Sequence, residues 1–162
     1  MSIRLATYND IPSIVDIYNE YIDTTITMDT EQATIESRTQ WFQNHSTVHP
    51  VTCYVSESGE ILGWASLSKW SEKMGYRYSV ENSIYVSKKC HRGGIGTKLL
   101  EDLIQRAKEL QYHCIISRID SENLISLALH QKYGFKVIGE MKETGFKFNK
   151  YINVKILQLL LQ

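Results

Sequence analysis

Three glycines within four residues, Gly93, Gly94 and Gly96, follow His91 and Arg92 and stand directly ahead of a helical pattern. The stretch Cys90–Leu100 is preceded by a strand-like run, Ser83–Val86. It leads into an amphipathic run from Lys98 to Gln111, with Leu99, Leu100, Leu103, Ile104, Ala107 and Leu110 on one face. Glycine lets backbone approach a ligand closely and adopt positive φ. The first turn of a helix presents unpaired N–H groups and a partial positive charge. A strand, a glycine loop and a helix in this order predict a cradle for a pyrophosphate or similar anion over Arg92–Lys98.

The whole chain narrows the partners. Its 162 residues suffice for one domain with a sizeable core. With 18 Lys and Arg against 18 Asp and Glu, the formal net charge is zero, so neither nucleic acid nor an anionic membrane surface is an expected partner. Three widely spaced cysteines, Cys53, Cys90 and Cys114, do not make a disulfide framework and fit a reducing compartment. The adjacent pairs Cys90-His91 and His113-Cys114 lack the spacing of a zinc site, and no metal is expected. The first residues lack the apolar run of a secretion signal, and Val154–Leu161 is too short and too interrupted to span a bilayer. A cytoplasmic protein is the expectation.

Periodicity and punctuation divide the chain as follows. Ser2–Ala6 reads as a strand, and Asn9, Asp10 and Pro12 start a helix running to about Tyr21 or Ile22. Asp23–Thr27 reads as a loop. Thr34 caps a second helix with Ile35, Arg38, Trp41 and Phe42 on its apolar side, and His45 and His49 fall in a polar loop. Val51–Ser56 and Ile61–Ser68 form a hairpin, where Gly63 signals a bulge or a close neighbour. A loop, Trp70–Gly75, leads to a long strand, Tyr76–Val86. After the amphipathic helix come a buried strand, Cys114–Ile119, and a short helix from Asn123 through Lys132. Strands Lys136–Phe146 and Tyr151–Leu161, joined by Lys147–Lys150, complete the chain. The order β-α-α-β-β-β-α-β-α-β-β predicts one α+β domain over residues 1–162, a mixed sheet with helices on both faces.

Three glycine motifs compete for the loop. A Walker loop needs a glycine five positions before Gly96, where His91 stands, and Lys before Thr rather than the order Thr97-Lys98. A dinucleotide fingerprint starting at Gly94 would end on Leu99 and falls too late in the chain. Arg92-Gly93-Gly94-Ile95-Gly96-Thr97, between a strand and a helix, instead resembles the acyl-CoA loop of the GCN5-related N-acetyltransferases, whose pattern is Arg/Gln-x-x-Gly-x-Gly/Ala. Gly94 and Gly96 match, and His91 departs from the first position. The resemblance extends to Arg4–Thr7 with Asp10–Pro12, and to Asn123 with Leu127–Phe135. Within the family, Val80–Ser87, His130 and Thr144–Phe148 resemble the phosphinothricin and methionine sulfone/sulfoximine acetyltransferases, whereas Lys150–Asn153 departs from the Trp-x-Asp of that subgroup. The resemblance implies a mostly antiparallel sheet, acetyl-CoA as co-substrate, a small amine substrate and a homodimer. It implies cofactor contacts at Ile84, Tyr85, Val86, Arg92–Lys98 (through Gly93, Gly94, Ile95, Gly96 and Thr97) and Asn123. The apolar final strand could serve a dimer interface or the core.

Amide formation needs a neutral amine, donors at the thioester carbonyl and a leaving thiolate. The resemblance makes Glu81 the base, directly or through water. On an extended strand Arg77, Ser79, Glu81, Ser83 and Tyr85 share one face, so Arg77 is either the receptor of a substrate anion or an ion-pair partner of Glu81. Lys147 is a second candidate for substrate. His130, in the position of the family's tyrosine, is expected to serve the thiolate, with Tyr133 as a competing donor or His130 as a packing residue. Two other outcomes stand beside the enzyme: a CoA-binding module without turnover, and a transferase acting on protein amines.

Overall fold

A computed structural model describes residues Met1–Gln162. Seven strands, β1 (Ser2–Leu5), β2 (Val51–Val55), β3 (Ile61–Lys69), β4 (Ser79–Val86), β5 (Cys114–Asp120), β6 (Lys136–Lys147) and β7 (Lys150–Leu160), form one sheet in the order β1-β2-β3-β4-β5-β7-β6. Every pairing is antiparallel except β4 with β5. Helices α1 (Ile11–Asn19) and α2 (Ile35–Gln43) cover one face, and α3 (Ile95–Glu109) and α4 (Leu124–Lys132) the other. The expected element order and mixed sheet are both present.

The middle of the sheet is buried on both faces, as a strand between two helical layers must be. On β3, Trp64 packs with Ile14, Ile17 and Tyr18 of α1, whereas Ala65 and Leu67 pack with Leu99, Leu100 and Leu103 of α3. The buried residues Ile95, Leu99, Leu100, Leu103 and Ala107 form one stripe along α3. That stripe sits so close to β3 that a Cβ at Gly63 would lie 3.1 Å from both Ile95 Cγ2 and Leu99 Cδ1. The close-neighbour reading of Gly63 therefore holds, and the β2–β3 register also shifts beside it, between Tyr54 and Val55.

Three boundaries differ from expectation. Helix α1 ends at Asn19, and Tyr21 follows in a turn. The strand expected from Tyr76 starts only at Ser79, because Met74–Tyr76 closes a 3₁₀ turn. The β6–β7 link is a two-residue hairpin, Phe148-Asn149, both with positive φ, so the strands extend to Lys147 and from Lys150. Strand β7 lies between β5 and β6 and buries Ile152, Val154 and Leu157, with Leu161 buried just past its end, so these side chains serve the core. Asn153, in the segment that departs from the subgroup, accepts the Glu143 N–H at 2.8 Å and clamps a bulge in β6.

Candidate active site

The predicted cradle is formed where β4 turns into α3. Arg92 and Gly94 both take left-handed backbone, at φ 74° and 72°. Gly94 is the N-cap of α3 and offers no side chain, so no cap claims the N–H groups of Ile95, Gly96 and Thr97. A Cβ at Gly96 would make only ordinary contacts, at 3.7 Å to Val86 and 3.8 Å to Leu129. Packing within the chain does not demand glycine there, and its absence of a side chain would let an anion approach the backbone closely. Lys98 leaves the cradle no free donor: its N–H donates to the Gly94 carbonyl at 3.1 Å, and its ammonium lies over the Tyr54 ring at 5.7 Å.

His91, the departure from the family pattern, is tied to the end of the first helical segment. Its Nε2 is 2.8 Å from the Tyr21 hydroxyl, which donates to the Val86 carbonyl, so Nε2 is the donor of the pair. Burial pushes the Tyr21 phenol up to about 12. Glu20 completes the clamp: one carboxylate oxygen accepts the Lys88 N–H at 2.6 Å and the other the Ser87 hydroxyl at 3.2 Å.

Beside the cradle the sheet splits. The parallel pairing of β4 with β5 covers only Ser79–Cys114, Val80–Ile115 and Glu81–Ile116. Beyond Glu81 the strands part, which leaves β4 backbone from Ser83 to Val86 unpaired on that side and opens a cleft of about 90 Å³. Backbone groups freed in this way are ready to pair with an extended ligand. Alternation along β4 sends Tyr85 to one face, where it meets Tyr18 and Trp64 at ring separations of 5.1 and 5.0 Å. Asn82 points to the other, toward α4. Glu81 and Ser83 share the Tyr85 face.

On the α4 face a buried chain of polar groups lines the cleft. The Ser117 hydroxyl donates to Asn82 Oδ1, and the Asn82 amide donates to His130 Nε2 at 3.0 Å. His130 Nδ1 is 2.7 Å from the Ser126 carbonyl, so the proton sits on Nδ1 and Nε2 accepts. Burial lowers the His130 pKa, which favours this neutral ring. His130 reaches the cleft as expected, but in this arrangement it offers no free N–H. Tyr133 does not line the cleft; its hydroxyl donates to Glu101 at 2.5 Å. Asn123 lines the cleft and caps α4, accepting the Ser126 N–H at 3.2 Å.

Glu81 stands where the two strands begin to part. Its carboxylate is held by Arg118 of β5, with Nε to Oε2 at 2.5 Å and Nη2 to Oε1 at 2.8 Å. The carboxylate holds the Arg118 guanidinium firmly charged. Of the two alternatives for Arg77, the ion pair with Glu81 is therefore not formed. Arg77 precedes β4, donates to the Met74 carbonyl at 3.0 Å and lies over Tyr78. Arg118 was missed because strand pairing, not spacing, brings it to Glu81. A lone cation in the buried run Cys114–Ile119 was the available signal.

Lys147 is buried, and its ammonium donates to the Thr24 and Thr27 carbonyls at 2.6 and 2.9 Å. Desolvation lowers its pKa. Its donors are spent on the loop after α1, so it braces that loop instead of reaching a substrate. The Tyr18 hydroxyl adds a 2.7 Å bond to Thr27, and Thr25 bonds Asp120 across the cleft. Between this loop, α2 and β4 lies a cavity of about 440 Å³, lined by Tyr18, Arg38, Trp41, Trp64, Ser83 and Tyr85 among others. Ser83 and Tyr85 thus border both the cleft and the cavity. Arg38 was seen in the sequence on the apolar side of α2, but was not singled out.

The architecture agrees with that of known proteins. The profile of the family described as Acetyltransferase (GNAT) domain matches residues 3–156. The L-methionine sulfoximine/L-methionine sulfone acetyltransferase of Pseudomonas aeruginosa is 34% identical over 160 residues, covering 98% of this chain and 93% of that protein. A ribosomal-protein-alanine N-acetyltransferase of Brucella melitensis superposes with a TM-score of 0.96 at 34% identity, over 99% of this chain and 100% of that one. A phosphinothricin acetyltransferase of Sinorhizobium meliloti, solved in complex with acetyl-CoA, gives 0.95 at 30% identity, over 99% and 88%. With its glycine cradle, its split sheet and this match over nearly all its length, the chain belongs to the GNAT acetyltransferase family.

Proposed function

We propose that the protein transfers the acetyl group of acetyl-CoA to the amino group of a small amino-acid-like substrate, of the phosphinothricin or methionine sulfone/sulfoximine type, by direct attack in a ternary complex. The observation that carries this reading is the place of Glu81. It stands at the point where β4 and β5 separate, on the same face of β4 as Ser83 and Tyr85, which border both the cleft and the cavity. Two reactants entering from opposite sides would meet there. The S. meliloti enzyme with acetyl-CoA and the P. aeruginosa enzyme named for methionine sulfoximine support the two reactant classes.

In this reading the N–H groups that the chain leaves free within Arg92–Lys98, those of Ile95, Gly96 and Thr97 among them, hold the pyrophosphate. The free backbone of Ile84, Tyr85 and Val86 pairs with the pantetheine, and Asn123 offers its amide to the same arm. Glu81 takes the proton of the amine as the N–C bond forms, and the C–S bond breaks to release the thiolate. Arg118 holds the Glu81 carboxylate in position. His130 serves the thiolate through Asn82: by accepting one amide N–H it fixes Asn82, which lines the cleft and keeps a second N–H to donate. Arg77 and Lys147 act on the substrate through the loops they brace. A homodimer belongs to the same reading. The exposed Phe146, Phe148 and Tyr151 at the β6–β7 tip support it. Three free cysteines fit a cytoplasmic site of action.

The Glu81→Gln protein should still bind acetyl-CoA but lose about 10²- to 10⁴-fold in kcat at pH 7 on a panel of phosphinothricin, methionine sulfone and methionine sulfoximine, the range for a general base. An unchanged pH–rate profile would remove Glu81 as the base. A second reading, acetylation of a protein N-terminus, is favoured by the likeness to the B. melitensis enzyme. Turnover of an N-terminal peptide with none of the panel would establish it, and acetyl-CoA binding with no turnover of either would leave a CoA-binding module.

A further inference from the structure

We propose that Arg38 is the anion receptor of the substrate cavity and that it takes the α-carboxylate of the acetyl acceptor. This rests on the amino-acid N-acetyltransferase reading above and names the group that reading leaves open. Arg38 lies on α2 and is only 8% exposed. Its guanidinium carbon stands 4.2 Å from the centre of the Tyr18 ring, 4.7 Å from Trp41 and 5.7 Å from Trp64. Three aromatic faces fix a cation in place, but they supply no oxygen to its N–H groups. Its Nε is buried without a partner, and none of the side-chain hydrogen bonds or ion pairs of the chain involves the guanidinium. A buried charge without a hydrogen-bonded counter-ion is costly and is normally paired.

The other cations near the site are taken or lie outside the cavity. Arg118 is bound to Glu81 and Lys147 to Thr24 and Thr27, and Arg77 is exposed and does not line the cavity. The carboxylate that shares the cavity with Arg38, that of Asp29, accepts from the Tyr18 hydroxyl and forms no ion pair with Arg38. Arg38 therefore stands charged and unclaimed on a cavity of about 440 Å³, a size that suits a small molecule. That cavity is also lined by Ser83 and Tyr85, and Glu81 lies one step along the same face of β4. A planar guanidinium fork matches a carboxylate in two parallel hydrogen bonds. Binding the acid of an amino acid at Arg38 would place its amine on the Glu81 side. A phosphinate or sulfone oxygen of the side chain presents related chemistry to the same fork, and the acceptors below separate the two sources.

The test compares wild type with Arg38→Gln and Arg38→Lys on three acceptors: methionine sulfone, its decarboxylated amine and norleucine, which keeps the carboxylate but has no sulfone. Arg38→Gln should raise KM for methionine sulfone and norleucine about 10- to 150-fold, the worth of hydrogen bonds to a charged group, with Arg38→Lys in between. KM for the decarboxylated amine should stay within about threefold, since it never made the contact. Equal losses on all three acceptors would overturn the proposal in favour of a packing role. Losses that follow the sulfone instead of the carboxylate would overturn it too. Should the variants fail to fold, the wild type decides alone: it must favour methionine sulfone over the decarboxylated amine by the same factor. Calorimetric titration of methionine sulfone separates this inference from the acetyl-transfer reading. If no acceptor is acetylated, binding that needs both the carboxylate and Arg38 still supports it, and no binding by the wild type overturns it.

Discussion

Replacing Gly63 by alanine tests whether the cradle is positioned by the packing of α3 on β3. The added Cβ would stand 3.1 Å from Ile95 Cγ2, 3.1 Å from Leu99 Cδ1 and 3.2 Å from the Tyr85 carbonyl oxygen. The carbonyl is part of β4 and cannot yield, so the start of α3 must shift by a few tenths of an ångström. Ile95 is the first residue of that helix and lies in the cradle itself. Overpacking of this kind costs about 1–3 kcal/mol. Alanine recovers about 0.5–1 kcal/mol by restricting the unfolded chain. The net loss, about 0.5–2 kcal/mol, corresponds to a Tm lower by about 1–8 °C for a chain of this size. Moving the cradle N–H groups off an anionic ligand should cost about one hydrogen bond to a charged group, a roughly 10- to 150-fold weaker Kd for acetyl-CoA. Scanning calorimetry and isothermal titration read the two quantities. Gly75→Ala is the control, because a Cβ there meets nothing within 4 Å, and it should stay within about 0.5 kcal/mol of wild type. If Gly63→Ala matches Gly75→Ala in both Tm and Kd, the cradle does not depend on this contact and the reasoning fails.

Two further outcomes are expected. Burial lowers the pKa of His130 and of His45, so the unfolded chain takes up their protons first; their stabilising contribution is complete above the unfolded value near 6.5 and is lost as pH falls through the folded values. Tm should therefore drop between about pH 7 and 5, with a shallower slope in His130→Asn, and a flat profile common to both proteins would contradict the neutral buried imidazole. Sedimentation velocity should give a dimer for the wild type and a shift toward monomer for Phe148→Lys, whereas a monomer at every wild-type concentration would exclude the proposed homodimer.

Much of the site was legible because its signals are local. Helical periodicity placed α3, and the glycine spacing placed its entrance, since cradle geometry is set by a handful of consecutive residues. Asn123 at a helix start and His130 one helical face along were likewise readable. Alternation along β4 put Glu81, Ser83 and Tyr85 on one face, and that holds. The same alternation misplaced Arg77, because a 3₁₀ turn ends two residues before the strand begins. Nothing near His91 in sequence announces that Tyr21, seventy residues earlier, would claim its ring.

Spacings of a few residues were enough to read the order of eleven helices and strands, the glycine loop that opens α3 and the family. Which cation meets which group is settled by the fold and not by spacing. Arg118 reaches Glu81 because β4 and β5 pair in parallel for three residues and then part. Lys147 is drawn under the Thr24–Thr27 loop, and Arg38 is left among aromatic rings with no counter-ion. Long flexible cations find their partners across the fold, and their charge says nothing of which partner that will be until burial decides who is desolvated beside whom.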